Sequence, residues 1–389
     1  MNPNLNPPKD GRALRVHVHL GQGLDAARYG RRYEQGLEVD ASPYGLDEAR
    51  ALGCQVSYSR DAQESPLVRW PRRSLKWLLG FDLIHAWRNR AQWQAADVIW
   101  TVQESEWLAL VALGRLGWAR PPLIANSVWL FDRWPRLGPW RRLLVQHLAR
   151  HAEQLTVHSQ AAQAVAQQVL PGVSVQWLPF GVAQRQFQSP ATVVPPPAPH
   201  LRHTPIRLFA PGSDETRDWD TLLKAVGGDP RFKLRILSGQ PQVHAAARGL
   251  ANVRVERWRN LQQLLAAYDA CDLVVIPMRP NNYAGITVCL EASWRGRPVV
   301  CAQTGGVASY LGPDGATWYT PGDAAALKAA LLSALSRREQ QLGLARRSLA
   351  EGQFTTQGMA GRYLRLSRQL LHSAPDASAP LPCTDARPC

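Results

Sequence analysis

DLVVIPMRPNNYAGITVCLEASWRGRPVVCAQTGG, residues 272–306, decides the fold. It reads as strand, glycine turn, helix, strand, glycine turn. Residues 273–277 are an apolar run bounded by breakers, as in a strand buried on both faces of a parallel sheet. Residues 281–287 form a polar turn around Gly285, residues 288–294 a short helix, and residues 298–302 a second buried strand closed by Gly305 and Gly306. A glycine turn at a helix start exposes unpaired backbone N–H groups, which bind phosphate oxygens. Gly285, Ile286 and Thr287 are the candidates for that role. Glu291, about one turn into the helix, can accept hydrogen bonds from ribose hydroxyls, a pairing strengthened by its charge.

Outward from this unit, 389 residues are enough for two domains with real cores. A hydrophobic content of 45% with 19% charged residues excludes a disordered chain. No apolar run approaches bilayer-spanning length. The stretch MNPNLNPPKDGR has no signal-peptide core, so the expected location is cytoplasmic, with peripheral association at the inner face of the plasma membrane as the finer expectation. Six scattered cysteines form no Cys-x-x-Cys pair, which argues against a zinc site or a disulfide framework. The net charge of +15 is spread over both halves and suits an anionic partner. No nucleic-acid-binding motif accompanies it, so nucleic acid is not expected.

In chain order, residues 1–12 read as a loose end and residues 14–20 as a first strand. Gly21-Gln22-Gly23 and a helical stretch to about residue 37 follow, as a doubly wound domain begins. Residues 66–93 interleave Trp70, Trp77, Trp87 and Trp93 with six basic residues against the single acid Asp82. Tryptophan favours the water–lipid boundary and basic residues are drawn to anionic headgroups, so an anionic membrane surface is an expected partner. The alternative is core tryptophans beside a solvated basic helix. Residues 97–102 read as a buried strand, with Glu104 at its carboxyl end as either an acceptor-site residue or part of a helix start. Residues 122–125 lead to a strand end at Asn126, with Asp132 the one carboxylate nearby. Residues 13–188 make a first domain and the proline-rich 189–204 a linker. Residues 205–352 make a second domain with a turn at Gly212-Ser213, residues 353–372 a crossover helix, and residues 373–389 a disordered tail.

Gly285, Leu290-Glu291-Ala292, Gly296-Arg297-Pro298-Val299-Val300 and Gly305-Gly306 occur in the order seen in retaining GT-B glycosyltransferases of family 4, which this chain resembles. The resemblance implies two Rossmann-like α/β domains facing across a cleft. It also implies a glycosyltransferase moving a sugar from a nucleoside-diphosphate sugar to an acceptor glycan or glycolipid, with retention and with neither metal nor other cofactor. Family members carry two glutamates with seven residues between them. Glu291 matches the second, whereas Tyr283 and Asn282 stand where the first would face the donor sugar. Ser213 replaces a family arginine after Gly212, and Arg217 matches a following lysine, which implies that it clamps the diphosphate. Trp258 stands in the loop beside the nucleobase. Gln22 and Gly23 stand in the turn facing the cleft, unless that turn is a simple tight one. Asn126 occupies the region where the family often has a histidine, and Asp132 is the candidate base for an inverting reaction. Two other readings stay open: a sugar-nucleotide epimerase or phosphorylase of GT-B fold, and a non-catalytic membrane-associated sugar-binding protein.

Overall fold

The computed structural model describes residues 12–188 and 205–373. The expectations of a loose N-terminus, a linker over 189–204 and a disordered tail therefore lie almost entirely outside the described residues. Two six-stranded sheets are present, and every pairing in them is parallel. The first holds β1 (Leu14–His19), β2 (Cys54–Tyr58), β3 (Val98–Thr101), β4 (Leu123–Ser127), β5 (Gln154–Val157) and β6 (Val175–Trp177), in the order β2-β1-β3-β4-β5-β6. The second holds β7 (Ile206–Pro211), β8 (Phe232–Leu237), β9 (Val253–Glu256), β10 (Leu273–Ile276), β11 (Val299–Ala302) and β12 (Thr317–Tyr319), in the order β12-β11-β10-β7-β8-β9.

Hydrophobicity explains the centre of each sheet. All four residues of β3, β10 and β11 are buried, as strands covered by helices on both faces must be. Strand order reverses between β1 and β3 in one sheet and between β7 and β10 in the other. In open α/β sheets such switch points open a crevice at the carboxyl ends of the strands, where ligands bind. The two domains are Rossmann-like units facing across a cleft.

The C-terminal helix Thr356–Ser373 returns to the first domain. Tyr363, Leu364 and Leu366 join the core of β1, β2 and β3, and Trp100 Nε1 donates to Ser367 Oγ at 2.8 Å. The crossing is reciprocal, because Val182 and Phe187, read from sequence as first-domain residues, are buried in the second core. Among the described residues no helix is long and apolar enough to cross a membrane.

Candidate active site

The switch point of the second sheet is built by two glycines. Gly212, at the end of β7, has φ +150°, and a Cβ there would lie 2.2 Å from Arg217 Nε. Glycine is what lets Arg217 fold back over the strand end. Arg217 is 4% exposed, and its Nε donates to Asp214 Oδ2 at 2.8 Å. Its Nη1 is buried without a partner. Gly285 caps the helix Ile286–Trp294 at φ +89°, where a Cβ would lie 2.9 Å from both Met278 Sδ and Val307 Cγ2. The helix starts two residues before the position expected from sequence, because Ile286 and Thr287 follow this left-handed cap. The first-turn N–H groups have no acceptor within their own helix. They and Arg217 line one cavity of about 200 Å³, walled by Tyr283 and by Trp129 of the first domain. A guanidinium and a helix start lining the same space have the chemistry to hold an anion.

The cleft is fastened beside this cavity. Asp132 Oδ1 accepts from both the backbone N and Nδ2 of Asn282, each at 2.7 Å, and Ser159 Oγ donates to Asn282 O. Asn282 therefore spends its amide and backbone on the first domain and does not face the sugar region as expected. Tyr283 does face the cavity, edge-on to Trp129 with ring centroids 5.5 Å apart. Asp132 is raised above the usual carboxylate range by burial, opposed by the Asn282 donors, and its Oδ2 is buried without a partner.

Residues 214–337, which include this cavity's second-domain wall, match the family described as "Glycosyl transferases group 1". The chain has the GT-B fold, with a glycosyltransferase family match over its second domain. Its fold is similar to that of sucrose-phosphate synthase from Thermosynechococcus elongatus, at 18% identity and TM-score 0.70, over 93% of this chain and 100% of that one. HepE from Anabaena, solved with UDP and glucose, is 15% identical with TM-score 0.63, over 92% of this chain and 100% of that one. A trehalose 6-phosphate synthase from Burkholderia multivorans is 14% identical with TM-score 0.65, over 93% and 98%. No curated protein matches the sequence.

Glu291 is not among the residues lining the Arg217 cavity. Its Oε2 accepts from Tyr268 Oη at 2.7 Å. Burial pushes its carboxyl up to about 7, against the Tyr268 hydrogen bond and with the help of the charge on Asp40. Asp40 belongs to the first domain, so Glu291 lies at the seam rather than deep in one core. The first-domain segment before Asp40 is tied to the second domain: Leu261 N donates to Gly36 O at 2.9 Å, and Val39 packs on the second core.

Several other expectations change in physical terms. Ser213 braces a turn, its Oγ accepting from Gly239 N at 2.8 Å. Trp258 is partly exposed on the loop after β9 and is not among the cavity's lining residues. Glu104 Oε2 caps Val128 N and Trp129 N at 3.2 and 3.3 Å, so it holds the Trp129 wall and is not free for an acceptor. Gln22 and Gly23 form a turn braced on residues 61–62, with Gly23 N donating to Asp61 and Gln22 Nε2 to Ala62 O, which favours the tight-turn alternative. Asn126 is fully buried and saturated: Nδ2 donates to Val102 O at 2.7 Å and faces His158 Nε2 at 3.0 Å, while Oδ1 accepts from Thr156.

His158 is the residue that sequence reasoning missed. It directly follows β5, and lies 6.2 Å from Tyr283 between ring centroids. Nδ1 donates to Leu178 O at 2.8 Å, which leaves Nε2 as the acceptor facing Asn126. Burial lowers its pKa to about 4, so it is neutral at pH 7. Asn126 beside the cleft was the available signal, since a buried amide donor needs an acceptor.

Proposed function

We propose that the protein transfers a sugar, with retention, from a nucleoside-diphosphate sugar to an acceptor glycan or glycolipid in cell-surface polysaccharide or glycolipid synthesis. The observation that carries the donor reading is the single cavity lined by the Gly285 helix start and by Arg217 with its unpaired Nη1. The glycosidic C–O bond breaks with its electron pair leaving on the diphosphate, and the helix start and Arg217 stabilise that charge. The acceptor oxygen bonds to the anomeric carbon and its proton passes to the departing phosphate oxygen. Tyr283 replaces a carboxylate at the sugar, and Glu291 holds the ribose. HepE, solved with UDP and glucose, makes UDP the first nucleotide to test. A thermal-shift panel of nucleoside-diphosphate sugars tests the reading, and no stabilisation by any of them would overturn it.

A ribose contact through Glu291 gives a pH signature. The ionised carboxylate is the form that accepts both ribose hydroxyls, and its pKa is about 7. Nucleotide affinity is therefore expected to rise between pH 6 and pH 8 more steeply in the wild type than in Glu291→Gln. At pH 8 the variant should bind more weakly by about 1.5–3 kcal/mol, the scale of hydrogen bonds to a charged group. In the free protein the sign is reversed for stability. The native state keeps a proton that the unfolded chain releases near 4.5, so this group's contribution falls as pH rises toward 7. Calorimetric titration across this range reads the first effect, and parallel pH slopes for the two proteins would remove Glu291 from the site.

The helix Pro66–Leu79 supports a membrane-facing acceptor side. Trp70 and Trp77 are 70% and 78% exposed, with Leu67, Val68 and Leu78 exposed on the same helix. Only part of the expected aromatic-basic cluster is free, however. Trp93 is core, and Arg72 is buried between Glu64 and Asp82, with Arg88 also on Glu64. The available cations are Arg69, Arg73 and Lys76, joined by Arg141, which reaches Leu78 O at 3.1 Å and brings Trp140 alongside. The protein is expected to co-sediment with phosphatidylglycerol-rich vesicles at low salt, and Trp70→Ser/Trp77→Ser to lose most of that binding. Equal pelleting of the two proteins would exclude this face.

A further inference from the structure

A second space opens at the domain seam, on the other side of residues 281–283 from the Arg217 cavity and sharing Trp129 with it. It measures about 730 Å³ and is lined by Arg133 and Arg136 of the first domain and Arg279 of the second. These guanidiniums are weakly committed. Arg133 meets Glu215 at 3.4 Å with both side chains more than half exposed. Arg279 approaches Asp220 only to 3.7 Å, again with both exposed. Arg136 enters no ion pair among the described residues. Exposed pairs of this kind contribute little and dissociate readily for a better partner. By contrast Arg207 and Arg231 close on Asp272 and Asp229 at 2.7 Å. The groove's acids are Glu215, already facing Arg133, and Asp132, whose Oδ1 is taken by Asn282.

We infer that this seam groove binds a phosphate group carried by the acceptor, held by Arg133, Arg136 and Arg279. The inference rests on the glycosyltransferase reading only for the word acceptor. Arginine forks suit a phosphate ester, taking two oxygens at a time. An acceptor seated there lies beside the sugar cavity, with which the groove shares Trp129. Asp132 also lines the groove. Pro135, which lines the groove, is also tied toward the exposed aromatic face. Arg142 Nη2 donates to Pro135 O at 2.8 Å and Nε to Trp134 O at 3.2 Å, one residue from Arg141, which bonds the end of the Trp77 helix. A lipid phosphate and a soluble sugar phosphate present the same group to these arginines.

The test is calorimetric titration of the full chain with octyl phosphate and with glucose 6-phosphate, each against its uncharged counterpart, octyl glucoside or glucose. Saturating UDP, or whichever nucleoside diphosphate binds best, fills the Arg217 cavity. At least one phosphate ester is expected to bind in preference to its counterpart. Arg133→Ala/Arg136→Ala should weaken it tenfold or more while leaving nucleotide affinity unchanged. Binding of octyl phosphate alone assigns a lipid source, and of glucose 6-phosphate alone a soluble one. No preference for the phosphate, or equal affinity in the variant, overturns the proposal. If the double variant also loses nucleotide binding, Arg279→Ala on the opposite domain decides: selective loss of the ester supports the site, and no loss overturns it. A wild type that binds the ester but no nucleoside diphosphate refutes the donor reading and leaves this site standing.

Discussion

Arg217→Ala is expected to lower the turnover of sugar transfer by about 10²–10³-fold, the cost of losing one preorganised donor to a developing charge. The prediction follows from how the guanidinium is held. Asp214 fixes Nε, Gly212 leaves it room by lacking a Cβ, and Nη1 is left buried with no protein acceptor. Such a group is oriented before the reaction, and its attraction grows as negative charge accumulates on the departing diphosphate. Turnover should therefore fall more than donor affinity. Arg217→Lys keeps the charge without the fork and should recover only part of the loss. Gly212→Ala gives an independent check. Its new methyl would fall on Nε, so it should displace the guanidinium and slow transfer while the arginine is still present. Steady-state kinetics with the donor identified by thermal shift reads all three. Normal turnover in Arg217→Ala would place the diphosphate elsewhere.

The frame of the fold was legible because parallel strands buried on both faces write themselves as apolar runs. β1, β10 and β11 differ by one residue from the bounds read from sequence. Short or mixed elements were not legible. β12 (Thr317–Tyr319) is three residues long, and the helix Arg338–Gly352 hides its buried Leu342, Ala345 and Leu349 among arginines and glutamines. Within the site, the Gly285 turn could be read because it depends on local chain geometry, whereas Arg217 was pointed to only by the family resemblance. Asn282, Asn126 and Glu104 could not be read, because what decides their roles is which distant backbone groups need a partner. Val102 and Asp132 take the two asparagines, and the N–H groups of residues 128 and 129 take the glutamate. Side-chain amides and carboxylates at strand ends look alike in sequence whether they serve a substrate or a neighbouring loop. His158 illustrates the converse, since its place near Tyr283 exists only when the two domains meet.

That meeting depends on the point where the chain crosses back, and Gly181→Ala is expected to destabilise the protein by about 3 kcal/mol, at the upper end of overpacking costs. A Cβ on residue 181 would lie 2.0 Å from Thr355 O, 2.3 Å from Thr355 C and 2.9 Å from Thr356 N. All three are backbone atoms, so no side chain can swing aside and the strands must separate. They are joined there by Val182 N to Phe354 O at 3.2 Å and Thr356 N to Val182 O at 3.0 Å. Arg362 adds Nε and Nη2 bonds to Pro179 O at 3.2 and 3.0 Å. Separation would loosen Phe354 in the second core and Tyr363 in the first together. The helix Thr356–Ser373 should therefore lose hydrogen-exchange protection before either sheet does. Gly343→Ala is the matched control. It lies inside the helix Arg338–Gly352 with nothing within 4 Å of a new Cβ, so alanine there should be neutral or stabilise by about 0.5–1 kcal/mol. Urea unfolding of the two variants separates a steric clash at the crossing from the general effect of replacing glycine. If Gly181→Ala unfolds at the wild-type midpoint, the crossing is not what holds the domains in register.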